Sequence, residues 1–227
     1  MNDKKNKVRK IFDSIAFKYD FLNHLLSFGF DKYWRRKALI LTGLSEESIL
    51  LDVACGTGDV AIEARRQGTD KIVGADLSYI MLKYFKTKSS WIQGNIVQMV
   101  AEIMPFKNDS FTNITVAFGV RNFYDIKKGF KSFYNTLKKD GKATIIEFQL
   151  PKSKIFKGLY RFYFNKILPV VGGFFSKNKS AYTYLPESVS EFDEQIAIVE
   201  LLKEAGFLKI DSYSLSLGIV QVVIATK

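Results

Sequence analysis

The segment LDVACGTGD, residues 51–59, has the residue types and spacing of a turn that holds a nucleotide-containing cofactor. Gly56 and Gly58 lack the Cβ atom that would keep a ligand away from the backbone. A helix that starts directly after such a turn offers free N–H groups to the ligand. Together with Ala61, the two glycines fit the pattern G-x-G-x-x-A, which is typical of dinucleotide-binding proteins.

Acidic residues around this turn favour a different adenosine cofactor. Asp52 and Asp59 would repel the two phosphates of a dinucleotide, whereas they suit the ammonium and sulfonium groups of S-adenosylmethionine. Asp76 lies 18 residues after Gly58, where an acid can accept hydrogen bonds from both hydroxyls of a ribose. A turn or helix-start role is the alternative for Asp76. We therefore expect S-adenosylmethionine as the cofactor.

The elements that must position these residues alternate along the chain. Short apolar runs predict strands over residues 49–54, 71–75, 91–94, 114–118, 143–148, 208–215 and 220–225. Apolar residues at helical spacing predict helices over residues 60–66, 78–85, 126–137 and 191–205. This alternation predicts an α/β fold with a doubly wound, mainly parallel sheet.

Two regions depart from the alternation. The first region, residues 1–45, is predicted to form helices over 7–26, with a break near 19–23, and over 32–41. The second region, residues 150–187, is rich in Phe, Tyr and Lys and follows neither pattern. We expect a single domain over residues 1–227, with an N-terminal helical extension and an insert before the last helix and strands.

The composition limits the partners and the compartment. The net charge of +11 indicates an anionic partner, although a lysine-rich solvated surface would give the same value. Cys55 is the single cysteine and His24 the single histidine, so we expect no metal site. The lone cysteine fits a reducing compartment, and no apolar run reaches the length of a membrane span. We expect a cytoplasmic protein.

Six stretches of the chain resemble one group of methyltransferases. LDVACGTGD, GADLSYIMLK and LKKDGKATIIEF resemble successive motifs of class I S-adenosylmethionine-dependent methyltransferases. YDFLNHLLSFGFDKYWRRKAL, FGVRNFYD and SAYTYLPESV resemble the ubiquinone/menaquinone biosynthesis C-methyltransferase family, and the similarity runs from about Val8 to the C-terminus. The resemblance implies a Rossmann-like sheet of seven strands, the last one antiparallel. It also implies C-methylation of a polyprenylated benzoquinol or naphthoquinol.

The resemblance further implies which residues bind the cofactor. The glycine turn would hold it directly, with an acid beneath the turn and another acid at the ribose. Ala117 stands where a serine often contacts the cofactor in this family. The expected cofactor-binding residues are Asp52, Gly56, Thr57, Gly58, Asp76, Leu77, Asn95, Ile96 and Ala117.

The residue beside the adenine depends on how the third strand is aligned. The stretch WIQGNI offers Asn95, followed by Ile96, whereas VQMVAEIMPF offers Val100 and Ala101. We prefer Asn95, because a valine side chain cannot accept a hydrogen bond from the adenine amino group.

Two residues are the candidates for catalysis. A quinol ring carbon becomes nucleophilic when the ring loses a phenol proton, so the enzyme must stabilise a phenolate. Arg121, shortly after the fourth predicted strand, is expected to stabilise that oxygen, with a structural salt bridge as the alternative. Tyr19 is expected to bind the quinol or to orient Arg121, with helix packing as the alternative. His24 is a weaker candidate, and no general base is assigned.

The insert is expected to contact a membrane surface, together with the N-terminal helix. An apolar mouth for the polyprenyl tail would be formed by Phe156, Tyr160, Phe164, Leu168 and Phe174. Anionic headgroups would meet Lys152, Lys154, Lys157, Arg161 and Lys166. Core packing with solvated lysines is the alternative. We expect peripheral contact with the inner face of the cell membrane, and a homodimer remains open.

Other functions also remain open from the residues alone. The net charge favours a nucleic-acid methyltransferase, but no NPPY-type motif occurs and nucleic acid is not expected as a partner. A non-catalytic protein that binds S-adenosylmethionine would show an eroded glycine turn, and this turn is intact. Asp52 and the downstream motifs count against a nicotinamide oxidoreductase. Methylation of another small molecule is a further alternative.

Overall fold

A seven-stranded sheet, with strand order β3-β2-β1-β4-β5-β7-β6, forms the centre of the computed structural model. The structure describes residues 2–167, 170, 186, 188–192 and 196–227. Strands β1 to β5 are parallel, and β7 runs antiparallel to both β5 and β6. The doubly wound fold with an antiparallel last strand is therefore confirmed. The strands are β1 Ile49–Val53, β2 Lys71–Asp76, β3 Ile96–Gln98, β4 Phe111–Ala117, β5 Leu137–Phe148, β6 Lys209–Leu215 and β7 Val220–Thr226.

Helices cover both faces of the sheet. The described helices are α1 Asn2–Ile15, α2 Tyr19–Leu26, α3 Phe30–Thr42, α4 Asp59–Arg66, α5 Tyr79–Lys88, α6 Ile126–Thr136, α7 Lys154–Phe162 and α8 Ile198–Ala205. A π-helical turn, Tyr163–Ile167, continues α7. None of the helices in the described part of the chain is long and apolar enough to cross a bilayer.

Two apolar layers hold the helices on the sheet. On one face, Phe130 and Phe133 of α6 and Leu202 of α8 are buried against the strands. On the other face, Leu82 and Phe85 of α5 are buried with residues of α3 and α4. Both faces of the central strands are covered, which explains why those strands are continuous apolar runs in the sequence.

The third strand lies later than predicted, and this prediction was wrong for a packing reason. The apolar run at 91–94 belongs to a 3-10 turn, Ser90–Ile92. Ile92 is buried, and the Trp91 ring lies 5.9 Å from the Phe85 ring of α5, centroid to centroid. Gly94 then turns the chain with a φ of +87°, so β3 begins only at Ile96.

Some element boundaries also differ from the sequence prediction. The break in the N-terminal helix is a 3-10 turn at Ala16–Lys18, which is earlier than the predicted 19–23. The helix predicted over 191–205 is interrupted: residues 191–192 are helical, residues 196–197 are not, and α8 begins at Ile198. Strand β5 begins at Leu137, six residues before its predicted start, and α1 begins at Asn2, five residues before its predicted start, whereas the bounds of the other predicted elements agree to within about three residues.

Candidate functional site

The glycine turn after β1 has a backbone that other residues adopt with difficulty. Gly56 and Gly58 both have positive φ, at +56° and +89°. A Cβ atom on Gly58 would lie 2.1 Å from Cδ2 of Phe85, so glycine is the residue that fits here. The amide of Gly56 donates to Oδ2 of Asp76 at 2.8 Å, which ties the turn to the end of β2. The sequence motif therefore forms a turn whose shape is fixed by packing against Phe85 and by the hydrogen bond to Asp76.

Two acids, Asp52 and Asp76, lie next to this turn. Asp52 is fully buried and accepts a hydrogen bond from Thr115 Oγ1 at 2.8 Å, and its Oδ2 has no partner among the described residues. Asp76 accepts from the Ser78 amide at 2.7 Å as well as from Gly56. Burial raises the pKa of Asp52 to about 7 and that of Asp76 to about 6. Near pH 6 to 7, both carboxyl groups therefore exist in protonated and ionised forms. A positive charge nearby would favour the ionised forms.

A cavity of about 80 Å³, the turn cavity, lies between the glycine turn and helix α1. Of the predicted cofactor-binding residues, the walls include Gly56, Asp76, Leu77 and Ala117. Helix α1 closes the cavity from above with Lys5, Val8, Arg9 and Phe12. Asp52, Thr57 and Gly58 do not reach this cavity, so they support the turn rather than line it.

The adenine-side alignment that placed Asn95 and Ile96 in the site is corrected by the position of β3. Asn95 precedes β3, at the end of the strand that faces away from the glycine turn. The residues that follow β3, including Val100 and Ala101, line the turn cavity beside Leu77. The alternative alignment therefore has the support of the geometry. The reason is that the preceding apolar run, 91–94, resembles a strand but packs on α5.

A network of charged side chains connects the N-terminal helices to the glycine turn. Thr57 Oγ1 donates to Asp20, and Lys88 Nζ lies 2.7 Å from Asp20 Oδ2 and 2.6 Å from Asp59 Oδ1. The guanidinium of Arg35 lies 3.3 Å from Asp59 Oδ2. Burial alone would raise the pKa of Asp59, but Arg35 and Lys88 hold that pKa below its usual value. Thr57 and Asp59 thus hold the turn in place through α2, α3 and α5.

His24, Asp31 and Asp59 are close enough together to suggest a metal site, but an arginine supplies the positive charge here. Nδ1 of His24 lies 2.7 Å from Asp31 Oδ2, and the Arg35 guanidinium lies 2.5 Å from the same oxygen. Arg35 is itself buried. His24 therefore belongs to a structural hydrogen-bond network with Asp31, and it is not among the described residues that line either cavity.

A second and larger cavity, the aromatic cavity, adjoins the first. Its volume is about 600 Å³, which lies within the usual range of small-molecule sites. Three aromatic residues, Phe12, Tyr19 and Phe118, line both cavities and therefore lie between the two spaces. The remaining aromatic walls come from distant parts of the chain: Phe28, Phe30, Trp34, Phe148, Phe156, Tyr160, Tyr163 and Phe164.

The two predicted catalytic residues, Tyr19 and Arg121, both line the aromatic cavity. Tyr19 borders both cavities, and burial raises its pKa. Arg121 lines the aromatic cavity, but it also forms a buried ion pair with Glu147 at 2.6 Å. Its Nη1 donates to the Phe118 carbonyl oxygen at 2.6 Å as well. Arg121 therefore forms the structural salt bridge that was the alternative prediction. Its side chain also lies in the wall of the aromatic cavity.

Glu147 was missed by the sequence reasoning, although a signal was present. It is the one acid within the apolar stretch TIIEFQL at the end of β5, and its side chain is completely buried. A carboxylate at such a position requires a cationic partner. Of the residues predicted to form the apolar mouth, Phe156, Tyr160 and Phe164 line the aromatic cavity, while Leu168 and Phe174 lie outside the described residues, so the role of the insert stays a prediction.

The chain is similar in sequence to known methyltransferases. The model of the ubiE/COQ5 methyltransferase family matches residues 1–227. A relative from Geotalea uraniireducens, named ubiquinone/menaquinone biosynthesis C-methyltransferase UbiE, is 44% identical over 100% of this chain and 99% of its own. A relative from Chlorobaculum parvum, named demethylmenaquinone methyltransferase, is 41% identical over 98% of this chain and 93% of its own.

Among solved structures, an S-adenosylmethionine-dependent methyltransferase from Thermotoga maritima has a similar fold. Its TM-score is 0.65 at 17% identity, and the match covers 96% of this chain and 99% of that one. This likeness concerns the fold alone. The family match and the full-length relatives show that the chain belongs to the ubiE/COQ5 methyltransferase family.

Proposed function

We propose that this protein transfers the methyl group of S-adenosylmethionine to a ring carbon of a polyprenylated quinol, with demethylmenaquinol as the acceptor. The observation that carries the proposal is the pair of adjoining cavities, one at the glycine turn and one lined by aromatic side chains. The names of both relatives include menaquinone, whereas ubiquinone occurs in one of them. The benzoquinol precursor of ubiquinol is therefore the second candidate acceptor.

The residues at the turn cavity fit S-adenosylmethionine. Gly56 offers a backbone without a Cβ atom, and Asp76 can accept hydrogen bonds from ribose hydroxyls. Val100 and Ala101 give an apolar contact for the adenine ring. The unpartnered Oδ2 of Asp52 adds negative charge beneath a cofactor that carries a sulfonium. When bound, the cofactor supplies an electrophilic methyl group.

The aromatic cavity would hold the quinol ring near its junction with the turn cavity. Loss of a phenol proton makes the ring carbon nucleophilic, and the guanidinium of Arg121 stabilises the resulting phenolate. Tyr19 keeps its proton at neutral pH, because burial raises its pKa. We therefore assign Tyr19 as a hydrogen-bond donor to a quinol oxygen rather than as the base. The apolar walls align the acceptor and exclude water.

A polyprenylated acceptor resides in a lipid bilayer, so the enzyme must meet it there. We propose peripheral membrane contact on the side of the molecule where the aromatic cavity opens. The support is the exposed apolar side chains of residues 150–167, accompanied by basic ones.

Cofactor binding is expected to strengthen as the pH rises from 5 to 7. Burial places the pKa of Asp76 at about 6 in the cofactor-free protein, so this carboxyl is mostly protonated at pH 5. Ribose hydroxyls donate to the ionised form, and a protonated Asp76 must first lose its proton. On account of Asp76, the dissociation constant should fall by up to about tenfold per pH unit below pH 6, and Asp52, whose pKa burial raises to about 7, should extend a shallower fall above pH 7.

Isothermal titration calorimetry with S-adenosylmethionine from pH 5 to 8 measures this dependence. Two buffers of different ionisation enthalpy at pH 6 should reveal proton release on binding. The variant Asp76→Asn should bind more weakly and with a shallower pH dependence. A dissociation constant that does not change between pH 5 and 7 would contradict the role of Asp76.

Two acceptors offered side by side test the proposed function. The purified protein receives labelled S-adenosylmethionine with short-tailed demethylmenaquinol or with a demethylated benzoquinol precursor of ubiquinol, both kept reduced. Label should enter the naphthoquinol. Label in the benzoquinol alone would make the ring assignment wrong. If neither acceptor is labelled while the cofactor binds, quinol methylation itself is wrong.

A further inference from the structure

Two strained turns present exposed apolar side chains at the mouth of the aromatic cavity. Phe28, between α2 and α3, has a φ of +52° and is 78% exposed. Leu217, between β6 and β7, has a φ of +58° and is 68% exposed. Both residues line the aromatic cavity. A bulky residue in this backbone region is uncommon, and such strain is concentrated at functional sites.

The turn at Leu217 is held in this shape by its neighbours. Three consecutive residues, Ser216, Leu217 and Gly218, have positive φ. Nε1 of Trp34, whose side chain is buried, donates to Ser216 Oγ at 2.8 Å. The hydrogen bond from the buried Trp34 therefore holds the turn in place, and the Leu217 side chain on this turn is exposed.

Helix α7 continues the apolar surface on the other side of the cavity mouth. Its inner side contributes Tyr160 to the cavity wall, and this side chain is buried. Its outer side carries Ile155, Leu159 and Phe162 at spacings of four and three residues, and all three are exposed. The rings of Phe28 and of Tyr163, which follows α7, lie 6.0 Å apart, so the first turn and this helix are neighbours.

Positive charge accompanies this apolar surface. Residues 150–167 contain five basic residues and no acidic one. Lys152, Lys154, Arg161 and Lys166 are exposed. An amphipathic helix with an apolar side and flanking basic residues is the pattern of a segment that lies in the interface of an anionic bilayer.

We propose that these side chains form a membrane-inserting rim around the mouth of the aromatic cavity, and that its partner is an anionic lipid bilayer. The inference rests on the proposed function, because a polyprenyl tail would pass from the bilayer into the cavity without crossing water. The rim consists of Phe28, Phe30, Ile155, Leu159, Phe162 and Leu217.

Replacing both strained residues by asparagine tests the rim in the full-length protein. Asparagine adopts positive φ more easily than Phe or Leu, so Phe28→Asn/Leu217→Asn should fold with an unchanged or higher melting temperature. Its partition onto vesicles of phosphatidylcholine and phosphatidylglycerol should nevertheless fall by about tenfold, because two apolar anchors are lost. Vesicle flotation measures the partition.

A matched control comes from the opposite end of β6. Leu208 is 92% exposed and precedes Lys209, so it lies a strand length away from Leu217. Leu208→Asn should leave vesicle partition unchanged. Wild-type protein should bind vesicles of pure phosphatidylcholine more weakly than anionic ones, because those vesicles offer no net negative surface charge to attract the basic residues of the rim region.

Three results would overturn the proposal. These are no flotation of the wild-type protein, equal flotation of the double variant, or an equal loss in Leu208→Asn. Sedimentation velocity tests a dimer interface as the other outcome. If the wild-type protein is a dimer that does not bind vesicles, and the double variant is a monomer, this surface is a dimer interface instead. Labelling of the quinol by wild-type protein is measured separately, so failure of the proposed function is distinguishable from failure of the rim.

Discussion

Replacing Gly58 by alanine is expected to lower the free energy of unfolding by roughly 3–5 kcal/mol. The added Cβ would lie 2.1 Å from the ring of Phe85, which is completely buried, so the surrounding core must rearrange to accept it. The φ of +89° at Gly58 adds left-handed strain to this clash. Because Gly58 closes the turn that carries Gly56, cofactor binding should be lost together with stability.

Gly29→Ala is the matched control for this prediction. Gly29 has a similar φ of +76°, but a Cβ there would meet no atom of the described residues within 4 Å. Alanine at Gly29 should therefore cost only the backbone strain, about 1–2 kcal/mol. Urea denaturation followed by circular dichroism measures both variants. Equal destabilisation of the two would show that Phe85 does not lock the turn.

Removing the Arg121 side chain is expected to cost both stability and catalysis. Arg121→Ala leaves Glu147 buried without its cationic partner at 2.6 Å, which should lower the free energy of unfolding by about 3–5 kcal/mol. Methyl transfer to the quinol should fall by roughly 100-fold or more, because the phenolate loses its stabilising charge. A lower transfer rate in Arg121→Ala alone would not distinguish the loss of catalysis from the loss of stability.

A double variant, Arg121→Met/Glu147→Gln, separates the two roles. It removes both charges, and glutamine keeps an acceptor oxygen for the Phe148 amide, which donates to Glu147 Oε1 at 3.0 Å. Stability should recover most of the loss, while the transfer rate should stay about 100-fold below the wild-type rate. Denaturation and single-turnover kinetics at saturating cofactor measure these quantities. Recovery of the rate together with stability would reduce Arg121 to a structural residue.

The parts of the site that depend on local sequence could be predicted. Gly56 and Asp76 each follow a buried strand, and parallel strands bring their carboxyl ends to the same edge of the sheet. The prediction of Asn95 depended on taking Trp91 and Ile92 as part of a strand, whereas the structure has a 3-10 turn there. Hydrophobic pattern alone does not distinguish burial within a sheet from burial against a helix such as α5.

Only part of the aromatic cavity could be predicted: the sequence indicated Phe156, Tyr160 and Phe164, whereas the remaining walls depend on tertiary contacts. Trp34, Phe118 and Phe164 come from three parts of the chain that meet only when α3 and the residues after α7 pack beside the ends of the strands. The same holds for the pair of Arg121 and Glu147. Their contact depends on how β4 and β5 align, and the sequence shows only that a buried acid needs a partner.

The position of the transferred methyl group tests the central claim most directly. The protein would be given S-adenosylmethionine with a ¹³C-labelled methyl group, together with short-tailed demethylmenaquinol held reduced or left oxidised. Nuclear magnetic resonance of the extracted product locates the label. We predict a ¹³C methyl bonded to a ring carbon, formed from the reduced acceptor only. A label on the quinol oxygen, or equal labelling of the oxidised quinone, would contradict carbon methylation through a phenolate.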